Sequence, residues 1–130
     1  MTSGRSSSSE GSWGTAAERI AAEYLIGKGY VVRERNWRPK NSHLEIDIIS
    51  QRDDEMIFVE VKARGDTDTD PADAVDATKI RRLVRAADIY LSMQPHDFRY
   101  RFDIITVSGS PDRYTLDHLP DAFLPPLSTR

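Results

Sequence analysis

The sequence predicts an α/β fold in which a mixed β-sheet is flanked by helices, and three observations carry that expectation. Apolar residues recur at helical spacing over residues 15–28 and again over about 74–92. Three segments between residues 30 and 62 read as strands, two of them strictly alternating. Strand-like segments resume after the second helical stretch, at RFDIITV and then RYTLDHL. The order is α, three strands, α, then one or two strands, and a sheet covered by helices is the economical way to bury every apolar face.

In TAAERIAAEYLIGKG, Ala17, Ile20, Ala21, Tyr24 and Leu25 fall on one side of a helix. Thr15 followed by Glu18 matches a capping box, and Gly29 suits the C′ position, so the helix is expected near residues 15–28. Residues 1–12, MTSGRSSSSEGS, show no periodicity and read as a flexible tail. YVVRERNW is strand-like, with Val31 and Val32 apolar and arginines interleaved. In LEIDIIS, Leu44, Ile46 and Ile48 are expected on one face and Glu45, Asp47 and Ile49 on the other. QRDDE is a polar turn. MIFVEVK then sets Ile57, Val59 and Val61 against Phe58, Glu60 and Lys62, completing a β-hairpin. After the loop ARGDTDTDPAD, a helix is expected from about Ala74 to Ser92, with its stripe at Ile80, Leu83, Val84, Ala87 and Leu91. RYTLDHL reads as a last edge strand. The proline-punctuated end, residues 120–130, is expected to be irregular, with Phe123 and Leu124 against the body. The organisation is a single domain over 13–119 between two tails.

A chain of 130 residues supports one core. Its hydrophobic fraction of 38% and charged fraction of 30% fit a globular protein and exclude a fibrous one. No apolar run approaches the roughly 18 residues that cross a bilayer, and no apolar core of a secretory signal is present. With no cysteine, disulfide frameworks, thiolate zinc sites and iron–sulfur clusters are excluded. These features lead us to expect a cytoplasmic protein without a membrane partner. The net charge of −3 decides little, because phosphate contacts depend on local patches.

The hairpin carries the chemistry. Pairing its strands about the turn Arg52–Glu55 sets Asp47 opposite Glu60 and Glu45 opposite Lys62. Opposed side chains in an antiparallel ladder have Cβ atoms about 4.5–5.5 Å apart, so two facing carboxylates destabilise the sheet unless a positive charge sits between them. A hard divalent cation resolves the conflict, and Lys62 would project beside it. A register slid by two residues would instead set Glu45 against Glu60 and leave Asp47 on the diagonal. Either register clusters acids on one face. Taken alone, such a hairpin reads first as the solvated face of an amphipathic sheet, and it is the flanking pattern that favours the metal reading.

An Asp on one strand followed by Glu-x-Lys on the next resembles the PD-(D/E)XK nuclease superfamily. More specifically, GTAAERIAAEYLIGKGY, RNWR, LEIDIIS, FVEVKAR, AVDATKIRRLVRAADIYL and RFDIITV, in that order, resemble the YraN family of bacterial proteins. The resemblance spans roughly residues 13–108. It implies an α-β-β-β-α-β, restriction-endonuclease-like core related to archaeal Holliday-junction resolvases, and a nuclease using Mg²⁺ or Mn²⁺. Asp47 and Glu60 would be metal ligands, Lys62 the catalytic lysine and Glu18 an auxiliary acid. Glu18 has the competing reading of a capping residue after Thr15. The chain departs from the family pattern in having Leu44 where glycine is usual and no proline before Asp47. Resolvase-like enzymes act as pairs, so a homodimer is among the expectations. Nucleic acid, DNA before RNA, is the expected partner, with a non-catalytic nucleic-acid-binding module as the alternative.

Basic residues gather near this site in sequence: Arg38, Arg64, Lys79, Arg82 and Arg85, with Arg33, Arg35, Lys40 and Arg81. Lys79 and Arg82 are three apart on the second helix and share a face. They read as a phosphate-tracking surface or as a solvated helix face. Trp37 reads as a half-buried sheet-edge residue in preference to a base-stacking one. Asp66, Asp68 and Asp70 imitate a calcium loop, but Pro71 and Ala77 occupy the positions where glycine and glutamate are required. His43, His96 and His118 lack metal-ligand spacing.

Overall fold

The computed structural model describes residues 9–65 and 77–123. Helix α1 (Ser9–Gly27) is followed by strands β1 (Val31–Trp37), β2 (Ile46–Arg52) and β3 (Glu55–Arg64). Helix α2 (Ala77–Ser92), β4 (Arg99–Ser110) and β5 (Arg113–Leu119) complete the chain. The five strands form one sheet in sequence order, antiparallel throughout except for β3 and β4, which run parallel. A parallel neighbour needs a crossover, and the connection that contains α2 supplies it. The architecture is the expected α/β one, a mixed sheet flanked by two helices in α-β-β-β-α-β order with one further edge strand. It is consistent with a restriction-endonuclease-like core. Among the described residues no helix is long and apolar enough to cross a membrane.

Alternate residues of β3 enter separate cores, so the helices cover opposite faces of the sheet. Ile57 and Val59 pack with Ile48, Ile105 and Val107 beneath Ala17, Ile20, Ala21 and Leu25 of α1. Met56 and Phe58 pack with Ile46, Ile49 and Phe102 beneath Leu83, Val84, Ala87 and Tyr90 of α2. Of the expected α2 stripe, Leu83, Val84 and Ala87 are buried and Ile80 and Leu91 partly so, with Ala86 and Tyr90 buried beside them. Trp37 meets Tyr90 edge-on at 5.1 Å as a core-edge residue. Phe123 stacks on Phe102 at 5.0 Å, as expected of the C-terminal segment. Leu124, the Asp66–Asp70 loop and the start of the second helix at residues 74–76 lie outside the described residues.

Two expectations are corrected. Helix α1 begins at Ser9, inside the segment read as tail, and extends through serines and glycine that favour helix poorly. Trp13 explains the extension: its indole donates to the Arg64 carbonyl oxygen at 3.1 Å and packs on the α1-side core. Thr15 is therefore interior to the helix, and Glu18 is no capping residue. The Gly29 expectation stands. Its φ of 96° closes a Schellman turn in which Tyr30 N–H donates to Leu25 O and Gly29 N–H to Ile26 O, both at 3.0 Å. The second correction lies at the entry to β2. Leu44 precedes the strand, with its N–H on Ser42 Oγ at 2.9 Å, and Ile46 enters the α2-side core while Ile48 enters the α1-side one. The paired strand β1 shifts register between Val32 and Glu34 and holds Asn36 at a left-handed φ of 53°. Those irregularities break the pleat that strict alternation assumes.

A buried polar network ties the far end of the α1 face together. Asp103, fully buried, accepts from Arg101 Nε at 2.9 Å, pairs with His118 Nε2 at 2.7 Å and accepts the Asp121 N–H. His118 Nδ1 meets the Tyr24 hydroxyl, and Arg101 reaches Glu55 and the Tyr30 hydroxyl. The histidine at 118 thus links α1, β4 and β5.

Candidate functional site

Glu60 ends the buried run of β3 that begins at Met56 and is itself only 4% exposed. It sits two residues beyond Phe58, on the sheet face that carries α2. The β2–β3 ladder pairs Arg52 with Glu55 and runs to Ile48 opposite Val59, which is the register expected from the turn and excludes the slid one. Asp47 is the next position, so it stands across from Glu60. There the ladder stops, and Asp47 Oδ2 accepts the Val61 N–H at 2.8 Å in place of a backbone carbonyl.

A recess of about 490 Å³ opens at this point. Asp47, Glu60 and Val61 form its sheet side, and Glu18 contributes from α1. His43, Leu44 and Glu45 come from the β1–β2 connection, and Thr78, Lys79, Arg82 and Leu83 from the first turns of α2. Glu18 accepts a hydrogen bond from the Asn36 side chain, which the left-handed backbone at Asn36 presents. Glu45 lies at the rim, 3.5 Å from Arg38.

Crowded carboxylates resist ionisation. Burial, followed by the charge of Glu60, raises Asp47 from its ordinary 3.8 to about 7, with Glu18 and Glu45 adding to the effect and the Val61 N–H opposing it. Burial also raises Glu18, against the Asn36 hydrogen bond. Glu60 has a cation already: Lys79 Nζ lies 2.5 Å from its carboxylate. The facing acids expected from the hairpin are therefore accommodated by three devices, a backbone N–H, a lysine and a carboxyl group that holds its proton up to neutral pH.

The other residues singled out in the sequence are distributed differently. Lys62 is half-buried, does not line the recess and forms no ion pair among the described residues. Arg82 lines the recess beside Lys79, whereas Arg85 is exposed outside it. Arg64 lies at the end of β3, next to a separate recess. Arg33 is engaged structurally, donating to Gln51, Tyr90 and Gln94. Thr78 and His43 also line the recess, and no local sequence motif marks either of them. The parallel β3–β4 pair is the signal for Thr78 and Lys79, because a crossover helix must begin beside the end of the strand it leaves.

Among the described residues no three His, Cys, Asp or Glu side chains converge into a ready ligand set. The chemistry of the donors nevertheless suits one class of ion. Hard carboxylate oxygens without any thiolate fit Mg²⁺ or Mn²⁺, which need only one or two protein carboxylates and retain several waters. Glu60 already takes an ammonium, and the charge of Glu60 helps push the Asp47 carboxyl up to about 7, so positive charge beside the pair is electrostatically favourable.

The model of the uncharacterised protein family UPF0102 matches residues 17–107. The chain belongs to that family. UPF0102 is the YraN family of the sequence resemblance. A UPF0102 protein of Bacteroides thetaiotaomicron is 46% identical over 115 residues, covering 88% of this chain and 93% of the relative. One from Bacteroides fragilis is 48% identical over 115 residues with the same coverage. One from Myxococcus xanthus is 43% identical over 115 residues, covering 85% and 88%. The span matched to UPF0102 contains Glu18, Asp47, Glu60 and Lys79.

Proposed function

We propose that this UPF0102 chain is a metal-dependent nuclease that hydrolyses phosphodiester bonds in nucleic acid, with branched DNA the first structured substrate to try. The reading is carried by the approach of Asp47 and Glu60 where the β2–β3 ladder opens, inside a recess that also holds Lys79 and Arg82. Asp47 and Glu60 would hold Mg²⁺ or Mn²⁺, with Glu18, elsewhere on the recess lining, reaching the ion through one of its waters. When bound, such an ion polarises a phosphate and lowers the pKa of a water. The chain's own groups supply the rest. Arg82 and Lys79, on adjoining turns of α2, bring positive charge to the recess and hold phosphate oxygens by charge-assisted hydrogen bonds. Lys79 supports the role of the phosphate-facing ammonium better than Lys62 does, because it lies within the recess lining. The Val61 N–H fixes the direction of the Asp47 carboxylate, so its second oxygen is the one available to a ligand.

A non-catalytic nucleic-acid-binding module is the second reading. The Lys79–Glu60 pair favours it, since a lysine neutralises Glu60 with no metal required. Incubation with branched, duplex and single-stranded DNA and RNA in Mn²⁺, beside Asp47→Ala and Glu60→Ala, separates the two. Cleavage lost in both variants supports the nuclease. Binding without cleavage by the wild type supports the module, and cleavage undiminished in both variants removes the enzyme reading.

A further inference from the structure

Lys79 and Glu60 form an ion pair whose two ends differ sharply in exposure. Lys79 Nζ lies 2.5 Å from Glu60 Oε2, yet the lysine side chain is 49% exposed and the glutamate side chain 5%. Glu60 is fixed at the end of the buried run of β3, whereas the ammonium sits at the tip of a flexible four-carbon stem. The lysine can therefore leave the pair, and the carboxylate cannot follow it. A carboxylate so deeply buried needs a cation beside it, because an unpaired charge away from water is costly. An ammonium meets that need and so does a divalent ion, but the two repel each other at close range. Lys79 and a metal thus compete for Glu60.

The face of α2 that carries Lys79 also carries what can draw it away. Arg82 is exposed, stands three residues further along the helix and lines the same recess. A guanidinium binds phosphate oxygens bidentately, so a phosphate seated on Arg82 places further anionic oxygens beside Lys79. Those oxygens give the ammonium an acceptor outside the sheet. Their charge also adds to the attraction that Asp47 and Glu60 exert on a cation.

We propose that Lys79 is an exchangeable counter-ion that makes metal binding depend on nucleic acid. With no strand bound, its ammonium holds the cation position on Glu60; a strand phosphate on Arg82 draws it off and opens that position to Mg²⁺ or Mn²⁺. The inference rests on the nucleic-acid reading of this site. It requires only that the pair with Glu60 open, so the further interaction that Lys79 makes can persist through the exchange. Linkage makes the effect reciprocal, and a metal on Glu60 releases Lys79 to the phosphate and tightens the strand by the same factor.

The test is a double-variant cycle read by fluorescence anisotropy with labelled duplex DNA in EDTA, each variant first checked for cooperative thermal unfolding. Glu60→Gln removes the charge that holds Lys79 and should tighten DNA binding about tenfold, the size of one charge-assisted hydrogen bond. The same substitution in a Lys79→Gln background should leave affinity nearly unchanged. Tightening absent from Glu60→Gln, or equal in both backgrounds as general repulsion by the carboxylate would give, overturns the exchange. The metal arm uses a phosphorothioate duplex, which resists hydrolysis. Millimolar Mn²⁺ should tighten its binding to wild type about tenfold more than to Lys79→Gln. An equal Mn²⁺ effect on the two proteins overturns the exchange while leaving the proposed function standing. A wild type that binds neither duplex at low salt, with or without Mn²⁺, overturns both.

Discussion

Asp47→Asn should make the protein more stable at alkaline pH, and the size of the effect follows from the site. An unfolded aspartate ionises near 3.8, whereas Asp47 in the folded chain does so at about 7. Between those values the folded state holds the proton that the unfolded state has released, so stability falls as pH rises through the window. The loss is complete above about pH 7. At ~1.4 kcal/mol per pH unit the interval amounts to roughly 4 kcal/mol. Asparagine is nearly isosteric, cannot ionise, and retains an oxygen to accept the Val61 N–H. The variant should therefore match wild type below about pH 4 and exceed it at pH 8. For a chain of this size the gain corresponds to a melting temperature higher by on the order of 10 °C. Thermal unfolding in EDTA, followed by circular dichroism across about pH 3.5–8.5, reads both limits. A difference that stays flat with pH, or wild type remaining the more stable at pH 8, would refute the account of crowded carboxylates.

Three further outcomes are expected. Lys79→Ala removes the cation on Glu60 and should cost about 1.5 kcal/mol in EDTA. Millimolar Mn²⁺ should raise its melting temperature more than that of wild type, because the ion no longer competes with the ammonium. Asp103→Asn leaves Arg101 and His118 facing a neutral group in a buried network, and urea titration should show a loss of about 3–5 kcal/mol. Gly109→Ala forces a Cβ against the Arg113 carbonyl at a left-handed backbone position, and should lose about 2–3 kcal/mol without a change in the urea m-value.

Local patterns that determine their own geometry were legible in the sequence. The two-residue turn at Asp53 and Asp54 sets Arg52 against Glu55, and from that pair the period of two carries Asp47 to the position facing Glu60. The stripe of α2 was equally plain, since helical spacing alone selects Leu83, Val84 and Ala87. What escaped depends on distant contacts. Helix α1 starts early because Trp13 finds the Arg64 carbonyl 51 residues away, a bond no local propensity encodes. The alternation of LEIDIIS extends to Leu44, but β2 starts only at Ile46, opposite a strand whose irregularity at Asn36 the local pattern does not contain. In the sequence Lys79 is one basic residue among several. Only the crossover that lays α2 across the end of β3 distinguishes it from Arg85, two turns further on.

The opening of the β2–β3 ladder explains why a charged pair can occupy the centre of this sheet. Continued pairing past Ile48 and Val59 would hold both carboxylates directly opposed on one face of the sheet, where they repel each other. Instead β2 stays paired with β1 through Ile46, parts from β3, and lets Asp47 satisfy with its side chain the Val61 N–H that the parted backbone leaves behind. Asp47 is consequently a member of the sheet's hydrogen-bonding scheme as well as of the recess. An alanine at this position removes two functions at once: the acid that would bind a cation and the acceptor that caps Val61. Asp47→Asn removes only the first. If Asp47→Asn folds normally and loses both cleavage and Mn²⁺ stabilisation, while Asp47→Ala also loses stability at pH 4.5, the two functions are separate. The charge then serves the site, and the oxygen serves the fold.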